Sequence, residues 1–217
     1  MIDLHVHSVF SDGQLVPAEL VRRAKTTGYR AVAITDHGDW SNIDFIIPRI
    51  VKVCQSLSDA CEIIVVPGIE LTHIPPNHIF RLCEEARGLG AKIIVVHGET
   101  IVEPVMPGTN MAALHAPIEI LAHPGLLTEE EAKVAAERNI YLEISARNGH
   151  CLTNGHVVKM ARHCKAPLVL DTDAHAPHDL INLEMARRIA MGAGLTEDEA
   201  DEVFRNSELL VQRILAR

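Results

Sequence analysis

Aromatic side chains are scarce in this chain: four Phe, two Tyr and one Trp make up 3% of its 217 residues. A groove that tracks long single strands by stacking bases on successive rings has little to build from. The core must instead be made of Val, Ile, Leu and Ala, which suits parallel strands covered by helices. Positive charge is also short, since 20 Lys and Arg against 29 Asp and Glu give a formal charge of −9. That balance disfavours a broad basic surface for long nucleic acid but leaves short or terminal substrates open. The five cysteines (Cys54, Cys61, Cys83, Cys151, Cys164) are odd in number and form no C-x-x-C pair. Neither a disulfide framework nor a thiolate zinc site is expected, and a reducing compartment suits them. No apolar run approaches the roughly 20 residues that span a bilayer, and no leader-like segment opens the chain. These absences point to a cytoplasmic protein without a membrane partner.

Histidine is plentiful, with 13 residues, and hydrophobic content reaches 47%. That is enough for one substantial core, so residues 1–217 read as a single domain. Seven short apolar runs, near residues 2–7, 31–35, 63–69, 92–97, 118–122, 140–145 and 168–172, have the character of strands. Helical patterns lie between them. The first runs from Pro17 to about Thr27 with Gly28 as its stop. Asn42 or Ser41 is expected to cap the second, broken or delayed by Pro48, and Asn77 the third. Thr128 with Glu131 makes a capping box; further helices are expected over about Asn154–His163, Leu180–Met191 and Thr196–Leu215. Residues 98–117 form a Pro- and Gly-bearing excursion with the character of a lid.

Strand–helix alternation gives either an open doubly wound sheet or a closed barrel. The residues at the run ends decide between them. His5 and His7 close the first run, followed by Asp12; His37 closes AVAITDH, Glu70 closes IIVVPGIE, His97 closes KIIVVH, His123 closes IEILAH, and Asp173 and His175 close LVLDTDAH. An open sheet gathers ligands at one switch point, whereas six strand ends meet only at the mouth of a closed barrel. The expected fold is therefore a closed, TIM-like (β/α)7 barrel. H-x-H alone is weak, since 13 His in a chain of this length produce roughly one such pair by chance. The strand-end context is what gives it weight.

Imidazoles and carboxylates without thiolate suit Zn, Mn or Fe. Up to three divalent ions, set against the carboxylates of Asp12, Glu70 and Asp173, would leave positive charge for an anion and a hydroxide. A phosphate ester fits that balance. Arg147, in EISARNGH after the sixth strand, can bind phosphate as a forked donor, and His150 is a candidate proton donor to the leaving group. Asp3 and Asp36 are read as holding backbone or neighbouring imidazoles rather than a metal, and Asp171 as a capping or barrel-interior acceptor. His156 and His163 read as helix-surface residues and His115 as a minor substrate contact.

In order along the chain, DLHVHSVFSDG, AITDHGD, PGIEL, VVHGE, AHPG and DTDAH resemble the successive motifs of the polymerase and histidinol phosphatase (PHP) family. The resemblance implies a distorted seven-stranded barrel with a trinuclear metal centre. It implies His5, His7, Glu70 and Asp173 on one ion, Glu70 bridging to a second held by His97 and His123, and Asp12, His37 and His175 on a third. A hydroxide bridging two ions would attack phosphorus, with Glu70 and Asp173 central to catalysis. The expected activity is hydrolysis of a small phosphorylated metabolite, such as a histidinol-phosphate-like monoester. A nuclease or nucleotide phosphodiesterase of the same family, acting on short or 5′-phosphorylated nucleic acid with Trp40 as its stacking residue, is the alternative. A metal-stabilised regulatory module is a third reading, but it should have lost ligands and all nine positions are filled. Binuclear amidohydrolases also begin with H-x-H, yet that resemblance would require a lysine at a later strand end, and Glu70 occupies the third.

Overall fold

A computed structural model describes all 217 residues. The strands are β1 (Ile2–Val6), β2 (Ala31–Ile34), the two-residue β3 (His37–Gly38), β4 (Ile64–Leu71), β5 (Ile93–His97), β6 (Ile120–Ala122), β7 (Tyr141–Ser145) and β8 (Leu168–Asp171). All pair in parallel, in the order β1-β2-β4-β5-β6-β7-β8. All seven expected runs form strands, and β3, which the apolar pattern did not reveal, continues the second stave by pairing His37 with Glu70.

The barrel closes between β1 and β8 in an unusual way. Near the mouth, His7 N donates to Ala174 O (2.9 Å) and Asp173 N to His5 O (2.9 Å). Deeper, carboxylates replace the ladder: Leu4 N donates to Asp171 Oδ1 (2.6 Å), and Thr172 donates to Asp3 through its backbone N (3.1 Å) and Oγ1 (2.6 Å). Buried amides need acceptors, and these two side chains supply them where the strands diverge. Asp3 and Asp171 thus serve the backbone, as their positions suggested.

The helices are α1 (Pro17–Thr27), α2 (Ile43–Cys61), α3 (Pro76–Gly88), α4 (Thr109–His115), α5 (Glu129–Arg138), α6 (Asn154–Cys164), α7 (Leu183–Gly192) and α8 (Glu197–Leu215). Several differ from expectation. Pro48 neither breaks nor delays α2, because it and Asp44, whose carbonyl it leaves free, lie on the exposed face where water can serve that group. Pro75 rather than Asn77 precedes α3, since Pro76 suits the first helical position. Helix α7 starts later than Leu180, at Leu183, because Asn182 Oδ1 caps it by accepting from Met185 N (2.9 Å). The excursion contains α4, too short and small-residue-rich to show helical periodicity.

Outer strand faces pack with the helices into one large apolar cluster. A second lies inside the barrel, where Leu210, Val211 and Ile214 of α8 meet Ala31, Val66, Ile93, Ile120, Tyr141 and Val169. Around this floor, Arg30 pairs with Glu208, Asn206 Nδ2 donates to Leu168 O (2.9 Å) and Arg217 pairs with Glu119 (2.7 Å). Helix α8 therefore plugs the amino-terminal end of the barrel and leaves the carboxyl end for chemistry.

Cys54 and Cys83 are buried, and burial pushes each thiol up to about 12. Ellman's reagent at pH 8 is expected to titrate at most Cys61, Cys151 and Cys164 in the native protein, and all five cysteines in denaturant. Rapid native labelling of Cys54 or Cys83 would contradict the packing described. No helix is long and apolar enough to cross a membrane.

Candidate metal centre

The loop after β1 is built to present Asp12. Asp36 accepts from Ser8 N (2.7 Å), Ser8 Oγ (2.7 Å), Ser11 N (3.1 Å) and Ser11 Oγ (2.7 Å). Gly13 follows because a Cβ there would lie 2.4 Å from His7 O. His37 is placed by β3 and by Asn42, whose Nδ2 donates to His37 O (3.1 Å). Backbone strain marks the far side. Of six non-glycine residues at positive φ, Glu62, Asn139 and Lys165 terminate helices, and the other three are His73, His123 and Asp173. Those three line or border the mouth, and backbone strain of this kind clusters at functional sites.

All nine predicted ligands converge there. His5 Nε2 lies 3.4 Å from Glu70 Oε1 and 3.1 Å from His7 Nε2, which lies 3.1 Å from Asp173 Oδ1. His123 Nε2 is 3.6 Å from Glu70 Oε1 and 3.7 Å from Asp173 Oδ2. Asp12 Oδ1 is 3.1 Å from His175 Nε2 and 3.4 Å from His37 Nε2, and the two imidazole nitrogens are 3.5 Å apart. Metal–ligand bonds of about 2.0–2.2 Å place neighbouring donors about 3.0–3.5 Å apart, so most of these spacings match the edges of coordination polyhedra.

The donors fall into overlapping groups: His5, His7 and Glu70; His5, His123 and Asp173; His7, Asp12, His37 and His175; and His97, His123 and His150. The first two together contain the four side chains expected on one ion, and the third contains the three expected on another. His150 joins His97 and His123 as a third imidazole. Its ring stacks on His123 at 4.0 Å, and burial, aided by His123, lowers its pKa to about 4. A neutral imidazole can ligate a metal ion. Arg147 lines the same cavity, with Nη1 2.8 Å from His175 Nδ1 and Nε 3.7 Å from Asp173 Oδ2. The cavity holds about 250 Å³ and has no apolar side chain in its wall. A larger one of about 450 Å³, beside α5, α6 and α8, contains no comparable donor cluster.

Charge in the centre is poised for cations. Burial opposes ionisation of His5, yet Glu143, Glu70 and Asp173 hold its pKa well above the ordinary value. Burial likewise opposes charge on Glu70, but His5 and His37 keep its carboxyl well below the usual range. His7 is driven down to about 3 by burial. His37 rises to about 10 because Glu70 and Asp12 outweigh its desolvation. Protons on imidazoles here supply positive charge that metal ions would otherwise provide. A histidine raised on folding stabilises fully below its unfolded pKa of about 6.5 and loses that contribution as pH rises through the folded value. Metal-free protein is therefore expected to unfold at progressively lower temperature between pH 6.5 and 10, as read by scanning calorimetry. A flat profile across that window would contradict the His37–Glu70–Asp12 pairing.

Three participants escaped the sequence reading. Glu143, fully buried, accepts from His5 Nδ1 (2.7 Å) and His123 N (3.0 Å), directing His5 Nε2 toward the ligands. A lone carboxylate within the apolar strand YLEIS was the available signal. His73 and Glu103 lie on loops that meet only in three dimensions, and nothing in their spacing indicates it. His115 turns back to Met111 O (2.9 Å) at the exposed end of α4, away from the cavity, and His156 is half-buried with Nε2 donating to Leu127 O (2.8 Å).

A family model for the PHP domain matches residues 3–122. The chain belongs to the PHP-domain family, a family of metal-dependent phosphoesterases. This PHP chain is 48% identical to an uncharacterized protein of Methanocaldococcus jannaschii, across 93% of this chain and 94% of that one. It is 29% identical to ribonuclease P protein component 3 of Methanosarcina barkeri, across 99% of this chain and 88% of that one. Among solved structures, a chain in the cryo-EM structure of archaeal ribonuclease P with mature tRNA superposes with a TM-score of 0.74. It covers 97% of this chain and 90% of that one at 15% identity, a likeness of fold alone.

Proposed function

We propose that this PHP protein is a divalent-metal-dependent phosphoesterase whose substrate is a small phosphomonoester. The observation that carries the reading is a donor cluster at the floor of a cavity without apolar wall, a setting for a compact polar anion rather than an extended apolar ligand. His5, His7, Glu70 and Asp173 would hold one ion, His97, His123 and His150 with Glu70 a second, and Asp12, His37 and His175 a third. Bound divalent ions supply Lewis acidity and acidify water. Arg147, whose Nη1 donates to Asp173 O (3.2 Å), binds non-bridging phosphate oxygens. Glu143 keeps the proton of His5 on Nδ1 so that Nε2 faces the ions.

A second reading, cleavage at a short nucleic-acid end, is favoured by Trp40. This residue is 40% exposed three positions beyond His37, with the Arg81 guanidinium 5.2 Å from its ring and the His78 ring 6.4 Å away edge-on. Such a ring can stack a base. The ribonuclease P component among the relatives is consistent with an RNA substrate. Hydrolysis assays with Zn, Mn or Fe over phosphomonoesters, phosphodiesters and 5′-phosphorylated oligonucleotides separate the readings. Turnover of monoesters alone supports the first; faster turnover of oligonucleotides replaces it with the second.

A further inference from the structure

Glu103 sits where nothing in the nine-ligand arrangement requires a carboxylate. It belongs to the excursion that leaves β5 directly after His97. The base of that excursion is firmly tied: Glu99 Oε1 accepts from Gly108 N (3.0 Å) and Asn110 N (2.9 Å), and Asn110 Nδ2 donates to Pro124 O (2.9 Å). Its tip is not held by apolar burial, since Ile101 and Val102 are about half exposed. The Glu103 side chain reaches inward instead. Oε2 lies 3.1 Å from both His73 Nε2 and His97 Nε2, and Oε1 lies 3.4 Å from His150 Nε2.

Three imidazoles, from the ends of β4, β5 and β7, thus surround one carboxylate. Its spacings to His97 and His150 are again those of donors sharing an ion. His73, His97 and Glu103 form one compact donor group, and His97 and His150 belong to another with His123. Within the latter, His123 leaves its buried Nδ1 without a partner. A carboxylate that presents two oxygens to this cluster also fills the space and charge of a substrate oxyanion. Glu103 remains 38% exposed on the solvent side, so it can swing out without unpacking the core.

We propose that Glu103 is a removable ligand: with the excursion over the mouth it completes the metal position of His97, His123 and His150, and a phosphate must displace it to bind there. The inference rests on the reading of this centre as a phosphate-binding metal site. Residues 98–117 are then a strap that shields the ions from adventitious anions.

The test compares wild type with Glu103→Gln and Glu103→Ala, each loaded with Co(II) and checked for an unchanged unfolding temperature. Inorganic phosphate is titrated by calorimetry, and the visible Co(II) spectrum is recorded before and after saturation. Both variants are expected to bind phosphate about tenfold or more tightly than wild type. Their phosphate-free spectra should differ from wild type, and all three spectra should converge when phosphate is saturating. Equal or weaker phosphate binding in the variants, or superposable phosphate-free spectra, overturns the proposal. Neither readout requires turnover. A protein that binds phosphate in this pattern yet hydrolyses no ester would overturn the proposed function and leave the role of Glu103 standing.

Discussion

Glu70→Gln is expected to lower kcat/KM by about 10³-fold or more and to reduce bound metal, with the fold intact. Glu70 is fully buried at the junction of the donor groups: Oε1 faces His5 (3.4 Å) and His123 (3.6 Å), while Oε2 faces His37 (2.6 Å) and His7 (3.7 Å). Gln preserves the volume but removes the charge and replaces one acceptor oxygen by an amide that can only donate. A divalent ion that stabilises charge in the transition state contributes several kcal/mol, which corresponds to a loss of about three orders of magnitude. Metal content by mass spectrometry and steady-state kinetics check the result together. A variant with full metal content and full turnover would show that the pivotal carboxylate has been misassigned.

Leu210→Ala is expected to destabilise the protein by about 2–5 kcal/mol, because a buried leucine leaves both a lost transfer term and a cavity. Leu210 is fully buried, and it enters the barrel from below among side chains of several strands that can collapse toward it only by bending the barrel. For a domain of this size the loss corresponds to a fall of roughly 4–20 °C in unfolding temperature. Leu209→Ala, at a half-exposed position on the same helix, is expected to stay within about 0.5 kcal/mol of wild type. Because the floor is at the opposite end from the mouth, the folded Leu210→Ala protein should keep its metal content. An unfolding temperature within a degree of wild type would mean that α8 does not plug the barrel.

Sequence pattern revealed those features that depend on a residue and its immediate neighbours. Apolar runs located seven strands, and the polar residues that end them located the mouth, because a parallel barrel converts a position along the chain into a position in space. The Thr128–Glu131 box and the Pro17–Gly28 limits of α1 were legible for the same reason, being local chemistry. Contacts set by loop geometry were not. Glu103 approaches His73 across 30 residues, and no periodicity encodes that meeting. Pro48 misled because its cost depends on whether the orphaned carbonyl faces solvent, which only packing decides. His150 was legible as a loop imidazole, whereas its burial against His123 is set by packing alone.

The carboxylate-closed seam between β1 and β8 has a consequence for how the protein is made. Leu4 and Asp171 are 167 residues apart, so the first and last strands join only when nearly the whole chain is available. His5 and His7 lie on one side of that junction and Asp173 and His175 on the other. During synthesis the emerging chain can offer only part of the proposed His5–His7–Glu70–Asp173 set until the last strand is made. In the proposed arrangement, loading of the centre would be coupled to completion of folding, and ions held there would fasten the first and last strands together.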